Sequence, residues 1–347
     1  MKTKISILTA LFIILALVLV QTSSAQMAEV KVGKGTLKMG GILQAGYTFH
    51  LEDDEGYNSF TLNRARFLFW GDIIPDKVKY FVQLDHKGNV SVLDYKARFF
   101  YISNTEITVG RFLPNFTLYM PYSTAKLEMI NYPLTTQRFA VWRQVGIQTT
   151  TKTEYVDFNL GIFNGADQPN NTSDNNDAKD FLLRANIKPP IEQAKVLFGG
   201  YAWIGSADPG FGLTEEGTVK RNRFGGFAKV DYKATEDVTV KFRGEFLMAS
   251  TEHLTFADMD SVACIDAQAF FAHVGIQPTP KVEVLFRYDF HDPDTDTDDD
   301  GESWITAGVN YYLESINSMF YLNYISKIEQ GTDVDNDLIV AQVQIAF

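Results

Sequence analysis

The sequence contains almost no cysteine, since Cys264 is the only one among 347 residues. A single cysteine cannot form an intramolecular disulfide, which excludes a disulfide-rich scaffold. The chain also lacks a G-x-S-x-G nucleophile motif and a G-x-x-x-x-G-K phosphate-binding motif, and its five histidines show no metal-ligand spacing. We therefore expect no catalytic residues and no cofactor.

Long apolar runs are equally scarce. The one at the N-terminus extends from Ile5 to Val20, follows two lysines and precedes small residues that end at Ala25. This order is typical of a secretory signal, and the run falls short of the roughly 20 apolar residues of a transmembrane helix. We expect a signal peptide at residues 1–25, and a mature chain at 26–347 without a helical membrane span.

Positive charge is in the minority, with 31 Lys and Arg against 43 Asp and Glu and a net charge of -12. Such an acidic balance argues against a nucleic-acid partner. Aromatic residues are abundant, with 27 Phe and 16 Tyr among the 14% that are Phe, Trp or Tyr. This composition favours β-strands.

The chain does have a persistent alternation of apolar and polar residues. From Leu37 to Phe49 every odd position is apolar or small, and most even positions are polar or small; Arg64, Arg66 and Leu68 likewise share one face. About sixteen such segments can be traced, each close to the roughly 9 to 11 residues with which a tilted strand crosses a bilayer. A soluble sandwich alternates in the same way, so the connections must decide between the two folds.

The connections alternate in length, short turns being followed by long polar segments. The long segments are at about 113–141, 164–180, 205–221, 249–266 and 291–303. An even strand number with short turns at one end and long loops at the other is the pattern of outer-membrane barrels. We therefore predict an all-β membrane protein, a transmembrane antiparallel β-barrel of about 16 strands surrounded by outer-membrane lipid and lipopolysaccharide.

The C-terminal segment alternates up to its last residue. Closure of a barrel requires the last strand to pair with the first, which places Ile345 and Phe347 on the lipid face. A terminal aromatic residue after such an alternation resembles the C-terminal signature of bacterial outer-membrane proteins. The resemblance implies that the barrel-insertion machinery recognises Phe347.

Four blocks carry a closer resemblance. They are TLNRARFLFWGDIIPDKVKYFVQLD at 61–85, ITVGRFLPNF at 107–116, RQVGIQ at 143–148 and AGVNYYL at 307–313. These blocks resemble those of the phosphate-selective porin O and P family. The resemblance implies a homotrimeric channel for small anionic solutes, with basic side chains along its path and a loop, at about 113–141, folded into the lumen.

Basic residues outnumber acidic ones on the faces assigned to the lumen, although the whole chain is acidic. Rings of Arg and Lys favour anions, so we expect an anion-leaning pore; simple cross-strand pairing is the alternative for each residue. Arg64 and Arg66 are i and i+2 on one wall, where two guanidinium groups can grip one anion. The candidate pore-lining and anion-binding residues are Arg64, Arg66, Lys96, Arg98, Arg111, Lys126, Arg138, Arg143 and Arg243.

The negative charge is concentrated in the long loops, above all in DPDTDTDDDGE at 292–302. Asp296, Asp298 and Asp300 match the first half of a calcium-binding loop, but Ala307 occupies the position of the closing glutamate. They form a weak candidate for a divalent-cation site, and a solvated acidic loop is the alternative.

Two other functions remain open at this point. One is an outer-membrane barrel with a plugged lumen that serves adhesion or scaffolding through its acidic loops. The other is a barrel hydrolase with Ser, His and Asp at the rim, which the missing nucleophile motif disfavours.

Overall fold

A computed structural model describes residues 29–51, 56–165, 173–174, 176–207, 218–255, 258–332 and 334–347. The predicted signal peptide therefore lies outside the described residues. In the part that is described, sixteen strands form a closed barrel. The strands, numbered β1 to β16 in chain order, are Gly35–His50, Ser59–Ile74, Val78–Asp85, Ser91–Ile102, Thr105–Phe112, Gln144–Lys152, Val156–Phe163, Asp180–Ile187, Ala194–Ala207, Val219–Lys233, Thr239–Thr255, Asp258–Thr279, Val282–Asp292, Glu302–Glu314, Ser318–Glu329 and Leu338–Ala346.

Each strand pairs antiparallel with its neighbours in the sequence, and β16 pairs with β1 so that the sheet closes. The predicted fold class is confirmed. Two short strands extend the sheet: Glu29–Val32 pairs with the start of β1, and Pro190–Ile191 forms a tight hairpin with the start of β9. No helix among the described residues is long and apolar enough to span a membrane.

The two faces of each strand differ in the way a barrel in lipid requires. On β13, Val284 and Phe286 are about half exposed, whereas Glu283, Leu285 and Arg287 are buried in the interior. Because every second residue points outward, a belt of exposed apolar side chains surrounds the barrel. Hydrocarbon tails are the solvent that such a belt requires.

The seam of the barrel is completed by Phe347. Its backbone exchanges two hydrogen bonds with Gly41, at 2.9 and 3.0 Å. A Cβ added at Gly41 would lie 2.6 Å from the Phe347 ring, so only glycine leaves room for the ring at this point. The C-terminal aromatic residue is therefore packed against β1 and held by the sheet.

One predicted loop is wrong. The polar segment 249–266 does not leave the sheet, because β11 continues to Thr255 and β12 begins at Asp258. The polar composition of this segment does not end the pairing of β11 with β12, which continues to Thr255 and Asp258. The other connections keep the predicted alternation; three residues join β2 to β3, and a long connector joins β5 to β6.

Candidate permeation path

The connector between β5 and β6, residues 113–143, lies inside the barrel. It contains a short turn of 3-10 helix at Thr124–Lys126 and helix α1 at Leu134–Phe139. Phe116 and Leu118 have no exposed surface, although most loops of this length lie on the outside of a protein. The connector therefore divides the interior.

Side chains of distant strands bind the backbone of the connector. Glu245 on β11 accepts a hydrogen bond from the Leu118 amide at 2.6 Å. Asn323 on β15 accepts one from the Ile130 amide at 3.0 Å. These acceptors satisfy buried backbone donors and fix the connector to β11 and β15, while Gln44 of β1 and Arg66 of β2 donate to Thr124 at 3.3 and 3.2 Å.

We call the interior between the connector and strands β7–β15 the packed side, because aromatic rings fill it. The ring of Phe116 meets Tyr201 at 4.8 Å and Trp203 at 5.7 Å between centroids, and Phe163 stacks on Trp203 at 5.3 Å. All four residues are at least 95% buried. These rings form a tightly packed aromatic cluster between the connector and the wall.

Two buried arginines on the packed side form salt bridges with carboxylates. Arg243 binds Glu128 of the connector at 2.6 Å and Asp231 of β10 at 2.5 Å, and Arg287 binds Asp289 at 2.6 Å. Burial alone would raise the pKa of the Glu128 carboxyl, but the neighbouring Arg243 outweighs this effect and holds the pKa at about 2. The pair of Arg243 with Glu128 joins the connector to β11.

The opposite part of the interior, against strands β1–β4, contains two cavities, and we call it the open side. The outer chamber, of about 710 Å³, is lined by Asn63, Arg64, Arg66, Leu68, Phe81, Gln83, Asp85, Lys87, Asp94, Lys96, Leu113, Asn115, Pro121, Tyr122, Ser123, Thr124, Asn131, Tyr132, Gln137, Trp142 and Arg143. The inner chamber, of about 390 Å³, is lined by Lys38, Leu68, Trp70, Gly71, Asp72, Lys79, Tyr80, Phe81 and Arg98.

The strand directions order the chambers along the barrel. β2 runs from the long-loop end to the short-turn end and contributes Arg64 and Arg66 to the outer chamber and Asp72 to the inner one. β3 runs the other way, and its Lys79 lines the inner chamber before Asp85 lines the outer. The chambers therefore follow one another from the long-loop end towards the short-turn end.

Basic side chains dominate both chambers. The outer one has five basic and two acidic lining residues, and the inner one has three basic and one acidic. All three acidic residues form salt bridges with basic residues of the lining. The pairs are Asp85 with Arg66 at 3.2 Å, Asp94 with Arg143 at 3.0 Å and Asp72 with Lys79 at 3.7 Å. An excess of positive charge is left along the path.

Arg64 and Lys96 contribute most clearly to that excess. Arg64 donates to Gln44 at 2.5 Å and lies over the Tyr132 ring at 5.9 Å. The Lys96 ammonium lies 5.2 Å from the Phe81 ring centre and 5.5 Å from that of Phe112. No carboxylate among the described residues forms a salt bridge with either, so their charge is available to an anion.

The structure brings five of the nine candidate residues to the path. Arg64, Arg66, Lys96 and Arg143 line the outer chamber, and Arg98, paired with Glu106, lines the inner one.

The other four candidates line neither chamber. Arg111 donates to the carbonyl oxygens of Val92 and Leu93, and Arg138 pairs with Glu302 at 2.7 Å. Lys126 is exposed on the connector. Arg243 is enclosed on the packed side with 2% of its surface exposed, because the carboxylates of Glu128 and Asp231 surround it.

Several lining residues were not among the candidates, notably Leu68, Phe81, Tyr132 and Trp142. The sequence does distinguish Leu68 and Phe81, since both are large apolar residues at positions of their strands that otherwise carry polar side chains. The weak divalent-cation candidate of the acidic loop gains no support from the placement of its side chains. Among the described residues, no group of three or more His, Cys, Asp or Glu is placed to hold a metal, and Asp296, Asp298 and Asp300 do not form such a group.

Solved structures of outer-membrane channels share this fold. DcaP of Acinetobacter baumannii superimposes with a TM-score of 0.67 at 12% identity, covering 92% of this chain and 100% of that one. An anion-selective porin from Comamonas acidovorans gives 0.61 at 12% identity, with 90% and 100% covered. A trimer form of OmpT from Vibrio cholerae gives 0.60 at 12% identity, with 90% and 99% covered. No curated protein matches the sequence.

The barrel, its internal connector and its polar path are those of an outer-membrane porin, a channel for passive diffusion. The particular family to which the chain is similar is phosphate-selective porin O and P, whose model matches residues 37–203. This match confirms the resemblance seen in the sequence blocks, and it covers all residues that line the two chambers.

Proposed function

We propose that the protein is a passive channel that prefers small anions. The observation that carries this proposal is the lining of the two chambers, where eight basic side chains face three acidic ones. A positive potential raises the energy of a cation and lowers that of an anion. Chloride and other small anions, phosphate among them, are therefore expected to enter more easily than cations. The open chambers disfavour a purely adhesive barrel with a plugged lumen.

The test is the reversal potential of the purified, folded protein in a planar bilayer under a KCl gradient. The expected result is a chloride permeability severalfold above that of potassium. Arg64→Gln and Lys96→Gln should each lower this ratio, because they remove unpaired charges from the outer chamber. Lys126→Gln is the matched control, since it removes an exposed charge that lines neither chamber. A preference for potassium, or no conductance, would overturn the proposal.

The route to the membrane and the assembly are further parts of the proposal. The apolar run before Ala25 supports export with cleavage after that residue, and the packed C-terminal Phe347 supports recognition by the barrel-insertion machinery. The trimer form of OmpT supports a homotrimer in lipid and lipopolysaccharide. Mass spectrometry of the mature N-terminus and cross-linking in membranes would test cleavage and assembly separately.

A further inference from the structure

We infer that the junction of the two chambers, formed by Leu68 and Phe81, selects among anions by how easily they lose water. Among anions, the passage then favours weakly hydrated ones and small carboxylates that carry an apolar body, and it passes inorganic phosphate less readily than chloride. This inference rests on the proposed anion channel and names the class of its solutes.

The position of the junction follows from the lining. Leu68 and Phe81 are the two residues that line both chambers, so among the described residues the chambers meet there. They come from adjacent strands, with Leu68 opposite Gln83 and Phe81 opposite Trp70 in the register. Both are only partly buried, as expected of side chains that face a cavity. A solute that moves between the chambers at this point passes the apolar wall that Leu68 and Phe81 form.

Basic side chains flank the junction, but the wall formed by Leu68 and Phe81 replaces water on one face of a passing anion with apolar surface. On its outer side the Lys96 ammonium lies over the Phe81 ring, and on its inner side Lys79 and Arg98 lie 5.5 and 5.4 Å from the Phe100 ring centre. The side chains of Leu68 and Phe81 carry no hydrogen-bond donor. Phosphate, with four oxygens to satisfy, loses more there than an anion whose hydration is weak.

The outer chamber also has surface for an apolar body. The Tyr132 and Trp142 rings meet at 5.8 Å, edge to face, and Arg64 lies over Tyr132. An organic carboxylate can therefore place its charged end near Arg64 and its hydrocarbon part on these rings. Inorganic phosphate makes no use of that aromatic wall.

The experiment compares relative permeabilities from reversal potentials in planar bilayers. The probes are thiocyanate, benzoate, chloride and inorganic phosphate. They are measured at about pH 5, where phosphate carries roughly one negative charge, as the others do. We expect thiocyanate and benzoate to permeate at least as well as chloride, and phosphate about tenfold less well, the ratio that about 1.4 kcal/mol of dehydration gives. Phosphate permeating as readily as chloride would overturn the inference.

Variants locate the effect. Leu68→Ser and Phe81→Gln should each raise the phosphate to chloride ratio by about threefold or more and leave the chloride to potassium ratio unchanged, because no charge is altered. Leu113→Ser, which lines the outer chamber alone, is the matched control and should change neither ratio. An equal rise of the phosphate to chloride ratio in the control, or no rise in the junction variants, would contradict the assignment. If a variant does not fold, the order of the four permeabilities in the unmodified protein is the test.

Failure of this inference and failure of the proposed function are distinguishable. If chloride is preferred over potassium but phosphate passes freely, the anion channel stands and the junction does not select. If potassium is preferred, the anion channel itself is wrong, and the selectivity assigned to the junction is wrong with it.

Discussion

The packed side and the open side of the barrel use arginine in opposite ways. Arg243 on the packed side is 2% exposed and is enclosed by two carboxylates, one of them from the connector. Arg66 on the open side also pairs with a carboxylate, Asp85, but both side chains keep more than a tenth of their surface exposed to the cavity. The position of the connector therefore decides whether a basic residue supports the structure or faces a solute.

Aromatic residues show the same difference. Phe116 and Trp203 are fully buried and join the connector to the wall. Tyr132 and Phe81 have rings at the edge of a cavity. Removal of a group from the packed side should therefore affect stability first, and removal from the open side should affect selectivity first.

The largest expected effect is at Glu245 of the packed side. Its carboxylate accepts hydrogen bonds from the Leu118 amide, the Thr135 hydroxyl and the Tyr201 hydroxyl, at 2.6 to 2.8 Å. Glu245→Ala leaves three buried donors without a partner and should lower the free energy of unfolding by about 3 kcal/mol or more. Thermal unfolding in detergent, followed by circular dichroism, measures this. Asp72→Ala in the inner chamber is the control, and an equal loss there would remove the distinction between the sides.

An intermediate effect is expected at Glu128, and it should depend on pH. Its pKa of about 2 in the folded protein is below the value of roughly 4.3 in an unfolded chain. The stabilisation is therefore complete above about pH 4.3 and is lost as the pH falls towards 2. Glu128→Gln should lower the unfolding temperature at neutral pH, since Arg243 loses a partner, and this difference should shrink in acid.

The measurement for Glu128 is thermal unfolding of both proteins across that range of pH. A difference that stays constant down to about pH 2 would show that the Glu128 charge does not hold the connector. Single-channel conductance of the variant at neutral pH gives a second readout, which should become noisier as the connector loosens.

The smallest effect on stability is expected at Arg66. Its pair with Asp85 is partly solvated, so Arg66→Gln should cost about 1 kcal/mol or less. The same variant should nevertheless reduce the preference for chloride, because Arg66 lines the outer chamber. Arg243→Gln is the packed-side counterpart. It should lose more stability than Arg66→Gln and change the chloride to potassium ratio less, which would support the difference between the two sides. Equal losses for the two arginines would contradict it.

Most of the barrel could be predicted from the sequence because lipid imposes a strict period of two. The seam between β16 and β1 and the burial of Gln342 and Gln344 follow from that period. The period of two does not predict how far the strands extend outside the membrane. A polar composition there is compatible with a paired strand as well as with a loop. This is why the polar composition of 249–266 predicts a loop, whereas β11 and β12 pair up to Thr255 and Asp258.

The path was predictable only in part. The period of two places Arg64, Arg66 and Lys96 inside the barrel, and they do line the outer chamber. It places Arg243 inside as well, but local periodicity cannot show that Glu128, more than a hundred residues earlier, occupies the space beside it. Which interior residues meet a solute depends on the course of the connector, and that course is set by contacts distant in the sequence.

The residues that line the two chambers all lie between Lys38 and Arg143. The remaining strands close the cylinder and fill the rest of its interior. A single uninterrupted stretch of the gene thus encodes the whole passage, and recombination of that stretch with another porin could exchange the transported solute while the supporting wall is inherited unchanged.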